Sequence, residues 1–234
     1  MNPLTDHQME ALNAYAELQA AHPELFAHRS MRPIVTDRAQ LEAYAAQTGA
    51  VPGVAAKTGY FLFVSDLVQP AAGDTFVYSR LISARQLLGG TNVAVLAVIA
   101  DASLAEPGSV VLVEQERHAT GKMEIAIPRG FAEAGQDGPT AALRELQEES
   151  GYVGAEAEFL GESVIDSGAG DALVSFYRIQ VTSLVESAPE AGEAIRKIHL
   201  VAPGEIQQRI ASGAINDGFT LQAMLLAQIR DTQK

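Results

Sequence analysis

The chain has 234 residues, of which 47% are hydrophobic and 19% are charged, and its formal net charge at pH 7 is −13. This length suits one large domain, or one domain with an extension, and the apolar fraction excludes wholesale disorder. The negative charge would repel a phosphate backbone, so we expect no nucleic-acid partner. Because the chain contains no cysteine, a disulfide scaffold, a thiolate zinc site and a cysteine nucleophile are excluded.

No segment of the sequence is typical of a signal peptide or of a membrane span. The first residues lack a cationic stretch followed by an apolar one. The longest apolar runs, such as residues 93–100, are far shorter than the roughly 20 residues that a transmembrane helix needs. We therefore expect a soluble, cytoplasmic protein with no membrane partner.

Two helices are predicted at the start of the chain. Apolar residues recur at helical spacing over residues 6–20, and residues 38–48 lie between a potential cap, Asp37, and a potential stop, Gly49. We interpret residues 1–56 as an N-terminal extension, because about 55 residues make only a marginal core. Residues 57–234 are expected to form the main domain.

The rest of the chain is predicted to mix strands with helices. The predicted strands are residues 60–68, 75–82, 92–100, 109–115, 123–127, 158–164, 173–181 and 197–201. The predicted helices are residues 139–150, 203–212 and 219–231. Since the two kinds of element do not alternate strictly, we expect an α+β fold in which helices cover the faces of a mixed sheet.

One of these helices carries three carboxylates on the same side. It follows a potential cap, Asp137, and ends before Gly151, which can adopt the left-handed conformation. Glu145, Glu148 and Glu149 lie three and four positions apart, so their side chains share one face of the helix. If this face is buried, the carboxylates need protons or divalent cations, and oxygen ligands suit Mg²⁺ or Mn²⁺ better than zinc.

A charged run of this kind is usually the solvated face of an amphipathic helix, but the residues around it resemble a known motif. In the Nudix hydrolases the motif is Gly, five residues, Glu, seven residues, and then Arg-Glu-apolar-x-Glu-Glu-x-Gly-apolar. The matching residues here are Gly130, Arg144, Glu145, Leu146, Glu148, Glu149, Gly151 and Tyr152. The one departure is Gln136, which stands where the motif has its first glutamate.

The resemblance covers residues 58–230 or so and favours the branch of ADP-ribose and nucleoside diphosphate sugar pyrophosphatases. Segments 113–118, 127–130, 165–168 and 213–221 look like those of that branch. The resemblance implies a Nudix-type α/β/α sandwich with a mixed sheet. It also implies a homodimer to which the N-terminal helical and β extension contributes.

The resemblance further implies a metal site on the motif helix. Glu145, Glu148 and Glu149 would hold Mg²⁺, with Mn²⁺ as a substitute, together with the backbone carbonyl of Arg129. Arg144 would pair with one of these carboxylates and orient it, and it therefore counts among the catalytic residues.

The general base is left open by the sequence. Glu148 is the candidate within the motif, and Glu190 and Glu193 are candidates from an acidic loop, although a loop of this kind is more often a solvated linker.

Cations are needed near the site, because a protein this acidic repels an anionic substrate. Arg117 and Arg129 stand in motif-like segments and Arg80 in a predicted strand, and these three are our candidates for contacts with phosphate. Each could instead be an ordinary surface charge. Asp166 is expected to shape the substrate loop, although an aspartate before Ser-Gly is also ordinary turn chemistry.

The implied reaction is the Mg²⁺-dependent hydrolysis of the pyrophosphate bond of ADP-ribose or a related nucleoside diphosphate sugar. The products would be a nucleoside monophosphate and a sugar phosphate. Two alternatives stay open: a Nudix hydrolase of a nucleoside triphosphate or dinucleotide, and a catalytically weak nucleotide-binding sensor. Gln136 is the support for the sensor, but an amide can still orient a water molecule, so we expect activity to be retained.

Overall fold

The computed structural model describes residues 3–27, 31–133, 135–189 and 191–233. Their contacts divide the chain into two compact units. The N-terminal unit comprises Met1–Leu88 and Asp166–Ala172, and the C-terminal unit comprises Gly89–Ile165 and Leu173–Lys234. None of the helices in the described ranges is both long and apolar enough to cross a bilayer.

The N-terminal unit combines short helices with a three-stranded antiparallel sheet of order β1-β2-β3. Its elements are α1 (Asp6–Ala21), a 3₁₀ helix (Pro23–Phe26), α2 (Arg38–Thr48), β1 (Gly53–Lys57), β2 (Phe61–Val68), β3 (Phe76–Ser83) and α3 (Ala84–Leu87). Both predicted helices are confirmed, whereas β1 was not predicted. Helix α1 begins with a capping box, in which Thr5 and Gln8 each accept a hydrogen bond from the other's backbone N–H.

The boundary expected after residue 56 falls inside this unit. It lies within β1, which spans Gly53–Lys57, and Gly53 pairs with Ser65 of β2 in the same sheet. By contacts, the chain instead divides at Leu88. The segment Asp166–Ala172 joins the unit through a bridge between Leu81 and Gly170. The division into separately folding domains stays a prediction.

The C-terminal unit is built on a seven-stranded mixed sheet. Its strands are β4 (Asn92–Ile99), β5 (Val110–Arg117), β6 (Lys122–Ala126), β7 (Arg129–Phe131), β8 (Tyr152–Val164), β9 (Leu173–Leu184) and β10 (Ile195–Val201). The order is β10-β5-β4-β9-β8, with β6 beside β5 and β7 beside β4. Strands β4 and β9 run parallel and the other pairs antiparallel, which confirms the expected mixed sheet.

Helices cover both faces of this sheet. They are α4 (Gly138–Ser150), α5 (Pro203–Ala211) and α6 (Gly218–Thr232), and a 3₁₀ helix (Ala191–Glu193) precedes β10. Leu146 of α4 packs with Val95 on one face, while Ile206 of α5 and Ala223 of α6 pack with Leu96 on the other. Because successive residues of β4 point to opposite faces and both faces are covered, the strand reads as a continuous apolar run. The expected α/β/α sandwich is confirmed.

Two strands differ from their predicted bounds. Strand β8 begins at Tyr152 rather than at residue 158, because the chain passes from the end of α4 into the sheet through the single residue Gly151. Strand β7 has three residues and was not predicted, since such a short strand has no periodicity to detect. Both strands flank α4 and help to place it.

Candidate functional site

Helix α4 is defined at both ends by local interactions. The carboxylate of Asp137 accepts a hydrogen bond of 2.8 Å from the backbone N–H of Thr140, and Pro139 occupies the first turn. At the other end Gly151 has φ of 76°, a left-handed conformation that glycine adopts without strain. The predicted cap and stop of this helix are both confirmed, so its register, and with it the face that carries the carboxylates, is set.

Three carboxylates meet beside this helix. Glu145 and Glu149 are buried, with 6% and 3% of their surface exposed, and Glu193 joins them from the 3₁₀ helix before β10. One oxygen from each of the three lies within 4.8 Å of the others. The carboxylate of Glu148 instead accepts a hydrogen bond of 2.5 Å from Nη1 of Arg144. The structure thus brings together two of the three predicted helix ligands and one of the candidate bases.

Burial of like charges makes this cluster unfavourable without a partner. Burial, together with the neighbouring carboxylates of Glu193 and Glu145, raises the pKa of Glu149 to about 8. Burial also raises the pKa of Glu145, against the opposing charge of Arg144. The site must therefore take up protons or a cation. Three carboxylates within reach of one ion are the oxygen-only donor set that a hard divalent cation prefers, so the residues fit such an ion.

The segment before α4 closes over the cluster. The backbone N–H of Arg129 donates to Oε2 of Glu149 at 3.2 Å. A Cβ atom placed on Gly130 would overlap the carboxylate of Glu145, so only glycine permits this close approach. The glycine at this position of the motif thus has a steric reason. Coordination by the carbonyl of Arg129 stays a prediction.

Arg144 connects the cluster to the loop before the helix. Its Nη2 donates at 2.8 Å both to Oε1 of Glu145 and to the carbonyl of Phe131, and its Nη1 binds Glu148. Its Nε lies 3.4 Å from Oε1 of Gln136, and the same oxygen accepts from the backbone N–H of Glu133 at 3.1 Å. The amide oxygen of Gln136 therefore accepts hydrogen bonds from Arg144 and from the loop backbone, and neither bond requires a negative charge on the acceptor.

Two arginines lie on the other side of Glu149. Nη1 of Arg129 donates to Oδ2 of Asp217 at 2.6 Å, and its guanidinium carbon lies 4.0 Å from the ring centre of Phe219. Burial lowers the pKa of Arg117, as does the charge of Arg129, while Asp217 and Glu149 oppose this shift. Nε and Nη2 of Arg117 are buried and have no hydrogen-bond partner within the described part of the chain. Arg117 therefore offers unused donors beside the carboxylates.

The remaining predicted residues belong to the N-terminal unit. Arg80 is buried, and its guanidinium donates to Oδ2 of Asp66 at 2.7 Å and to the carbonyl of Leu25 at 3.0 Å. With Tyr78, it lines a cavity of about 260 Å³ that also includes residues 167–171. Asp166 accepts from the backbone N–H of Gly168 at 3.0 Å, as in an ordinary turn. Their contacts with a substrate stay predictions.

The sequence reasoning did not single out Asp217 or Phe219. The available signal is the segment 213–221, which contains both residues and resembles the pyrophosphatase branch as a whole. Glu190, the other loop candidate for the base, lies outside the described residues.

Comparisons with known proteins agree with this geometry. A methanol dehydrogenase activator of Bacillus methanolicus is 30% identical over 138 residues, which cover 58% of this chain and 74% of the relative. An ADP-ribose pyrophosphatase of Bacillus subtilis (strain 168) is 26% identical over 140 residues, which cover 59% of this chain and 72% of the relative. The crystal structure of an ADP compounds hydrolase matches 74% of this chain and 87% of its own with a TM-score of 0.61, and at 17% identity it supports the fold alone.

The NUDIX domain matches residues 90–220, which is more than half of the chain. This range contains α4 with its carboxylates, both arginines, Glu193 and Asp217. The expected resemblance to the branch that includes ADP-ribose pyrophosphatases is confirmed by the relatives. The chain therefore belongs to the Nudix hydrolase family.

Proposed function

We propose that this protein hydrolyses the pyrophosphate bond of ADP-ribose or a related nucleoside diphosphate sugar, releasing a nucleoside monophosphate and a sugar phosphate. The observation that carries the proposal is the cluster of the buried Glu145 and Glu149 with the half-buried Glu193. It lies beside Arg117, whose Nε and Nη2 have no hydrogen-bond partner in the described ranges. A site of this kind can hold a divalent cation and an anionic diphosphate together. The relatives named as ADP-ribose pyrophosphatases support the choice of substrate class.

We assign Mg²⁺ as the ion, with Mn²⁺ as a substitute, because the donors are carboxylate oxygens. When bound, a divalent cation neutralises the charge of the diphosphate and lowers the pKa of a coordinated water molecule. Glu145 and Glu149 hold the ion, and Glu148 and the carbonyl of Arg129 keep their predicted roles as further ligands. The homodimer, its contact through the N-terminal extension and the cytoplasmic location are also parts of this proposal.

The protein side chains divide the remaining work. Arg144 holds Glu145 in place through its Nη2, and it holds the segment before α4 through the same Nη2, which also donates to the carbonyl of Phe131, and through its Nε, which donates to Gln136. Arg117, whose Nε and Nη2 have no hydrogen-bond partner among the described residues, binds phosphate oxygens. Glu193 takes the proton from the attacking water, because its carboxylate reaches the cluster from a separate segment, whereas the carboxylate of Glu148 lies against Arg144. Arg80 and Asp166 are retained as proposed substrate contacts.

A substrate panel with Mg²⁺ tests this proposal. We would incubate the purified protein with ADP-ribose, other nucleotide sugars, dinucleotides and nucleoside triphosphates in ¹⁸O-labelled water and resolve the products by mass. Glu149→Gln is the matched negative control, because it keeps the shape of the side chain. We expect AMP and ribose 5-phosphate from ADP-ribose, with the label on one of them, and almost no product from the variant.

Two other results would contradict the proposal in different ways. Turnover of triphosphates or dinucleotides in preference to nucleotide sugars would change the substrate class while leaving the hydrolase assignment intact. Micromolar binding of ADP-ribose without turnover of any substrate would instead favour the nucleotide sensor.

A further inference from the structure

The two arginines beside the carboxylate cluster are arranged by residues that come from the start of α6. Arg129 and Asp217 are far apart in sequence, yet Nη1 of Arg129 donates to Oδ2 of Asp217 at 2.6 Å. Only 16% and 12% of these two side chains are exposed, so solvent and salt screen the pair weakly. The guanidinium also stacks over Phe219, within the distance of a cation–π contact. Asp217, which caps α6, and Phe219 in the first turn of that helix thus determine where the Arg129 side chain lies.

Asp217 itself is held in a defined orientation by its second oxygen. Oδ1 accepts hydrogen bonds from the backbone N–H of Thr220 at 2.9 Å and from its hydroxyl at 2.8 Å, which caps α6. The hydroxyl oxygen of Thr220 in turn accepts from the backbone N–H of Ile127, at the end of the segment that leads into β7. One carboxylate oxygen is therefore used by the helix and the other by Arg129.

This arrangement also bears on Arg117. Arg117 and Arg129 are close enough for each positive charge to disfavour the other, and Asp217 opposes that repulsion. Nη1 of Arg129 donates to Asp217, whereas Nε and Nη2 of Arg117 have no hydrogen-bond partner in the described part of the chain. The negative charge of Asp217, paired with Arg129 and felt by Arg117, offsets part of the repulsion between the two arginines beside the carboxylate cluster.

We propose that Asp217, assisted by Phe219, is a positioning residue that holds Arg129 in place beside Arg117, so that both cations face the diphosphate in the bound state. This inference rests on the proposed function, because it names residues that act on the same substrate. Asp217 does not touch the substrate; it acts through Arg129.

The variant Asp217→Asn separates the two uses of this side chain. Asparagine caps helices as well as aspartate does, so its oxygen can keep the bonds to Thr220, while its amide places a donor against the donor of Arg129. Asp37→Asn is the matched control, because Asp37 caps α2 with a bond of 2.9 Å to the N–H of Gln40. The other proteins in the set are the wild type, Arg129→Ala and the double variant Arg129→Ala/Asp217→Asn.

Steady-state kinetics with ADP-ribose and Mg²⁺ give the main result. Loss of one charge-assisted hydrogen bond predicts that Asp217→Asn raises KM about 10-fold, while kcat changes less than about 3-fold. In the Arg129→Ala background the same change should alter KM less than about 2-fold, because its target is already gone. If Asp217 had a purely structural role, Asp217→Asn would lower Tm and would change KM equally in the wild type and in Arg129→Ala. That outcome would overturn the inference. Asp37→Asn should leave KM unchanged.

Two further measurements keep this inference separate from the proposed function. If the wild type binds ADP with Mg²⁺ in calorimetry but hydrolyses nothing, the proposed function fails, and a loss of ADP affinity in Asp217→Asn still supports the positioning role. A crystal structure of Asp217→Asn needs no ligand at all. We expect the guanidinium of Arg129 to leave the ring of Phe219, and an unmoved guanidinium would overturn the inference.

Discussion

Replacing Glu149 by glutamine should make the protein more stable in the absence of metal and should abolish its Mg²⁺-dependent hydrolysis. The carboxyl group is 3% exposed and lies beside two other carboxylates, so its charge is costly unless a cation is present. Glutamine has the same shape and can accept the hydrogen bond that Arg129 donates, but it carries no charge. The variant therefore separates the cost of the buried charge from its use as a ligand.

The size and sign of the effect follow from the pKa. Burial raises the pKa of Glu149 from 4.5 to about 8, so the folded protein binds a proton that the unfolded chain releases above pH 4.5. The stability of the metal-free wild type therefore falls as pH rises through this window and levels off above about pH 8. At pH 7 the raised pKa of Glu149 lowers the free energy of unfolding by about 3 kcal/mol, since each pKa unit is worth about 1.4 kcal/mol. Glutamine avoids that cost.

Urea unfolding in the presence of a chelator measures this difference. We expect the free energy of unfolding of Glu149→Gln to exceed that of the wild type at pH 7 and to match it near pH 4. Glu145 and Glu193 remain in both proteins, so the difference isolates one carboxyl group. Glu106→Gln, at an exposed position, is the control and should change stability by less than about 0.5 kcal/mol.

Addition of Mg²⁺ should reverse the order. The ion stabilises the wild type because it binds the folded state alone, and the variant should gain little. If the variant is less stable than the wild type without metal at every pH, the carboxyl group is not strained, and the reasoning about the cluster is wrong.

Three further predictions concern the loop and the cations. Gln136→Glu should change the rate less than about 10-fold, because the amide oxygen already holds the loop; a loss as large as that of Glu149→Gln would show that the essential ligands are misplaced. Gly130→Ala should reduce Mg²⁺ affinity in calorimetry, because its Cβ displaces a ligand, whereas Gly204→Ala has open space and should not. Arg117→Ala should raise KM for ADP-ribose about 10-fold or more, with Arg209→Ala as an unaffected surface control.

Much of the fold was predictable because it depends on local patterns. The apolar run of β4 and the cap and stop of α4 are properties of a few consecutive residues, and the structure has both at the predicted places. The pairing of β4 with β9 was not predictable in this way, because the two strands are distant in the chain and the hydrogen bonds of a sheet carry no sequence mark.

The functional site likewise combines features that local sequence determines with features that only the tertiary structure determines. Helical periodicity alone places Glu145 and Glu149 on one face, one turn apart, and the spacing of the motif alone identifies the family. Which carboxylate completes the cluster was decided by tertiary structure: Glu148 turns toward Arg144, and Glu193 arrives from another segment. The pair of Arg129 and Asp217 likewise exists only once α6 has packed on the sheet. The positions of side chains around a helix follow from its regular backbone geometry. The partner of a charged side chain depends instead on which distant groups share its buried surroundings.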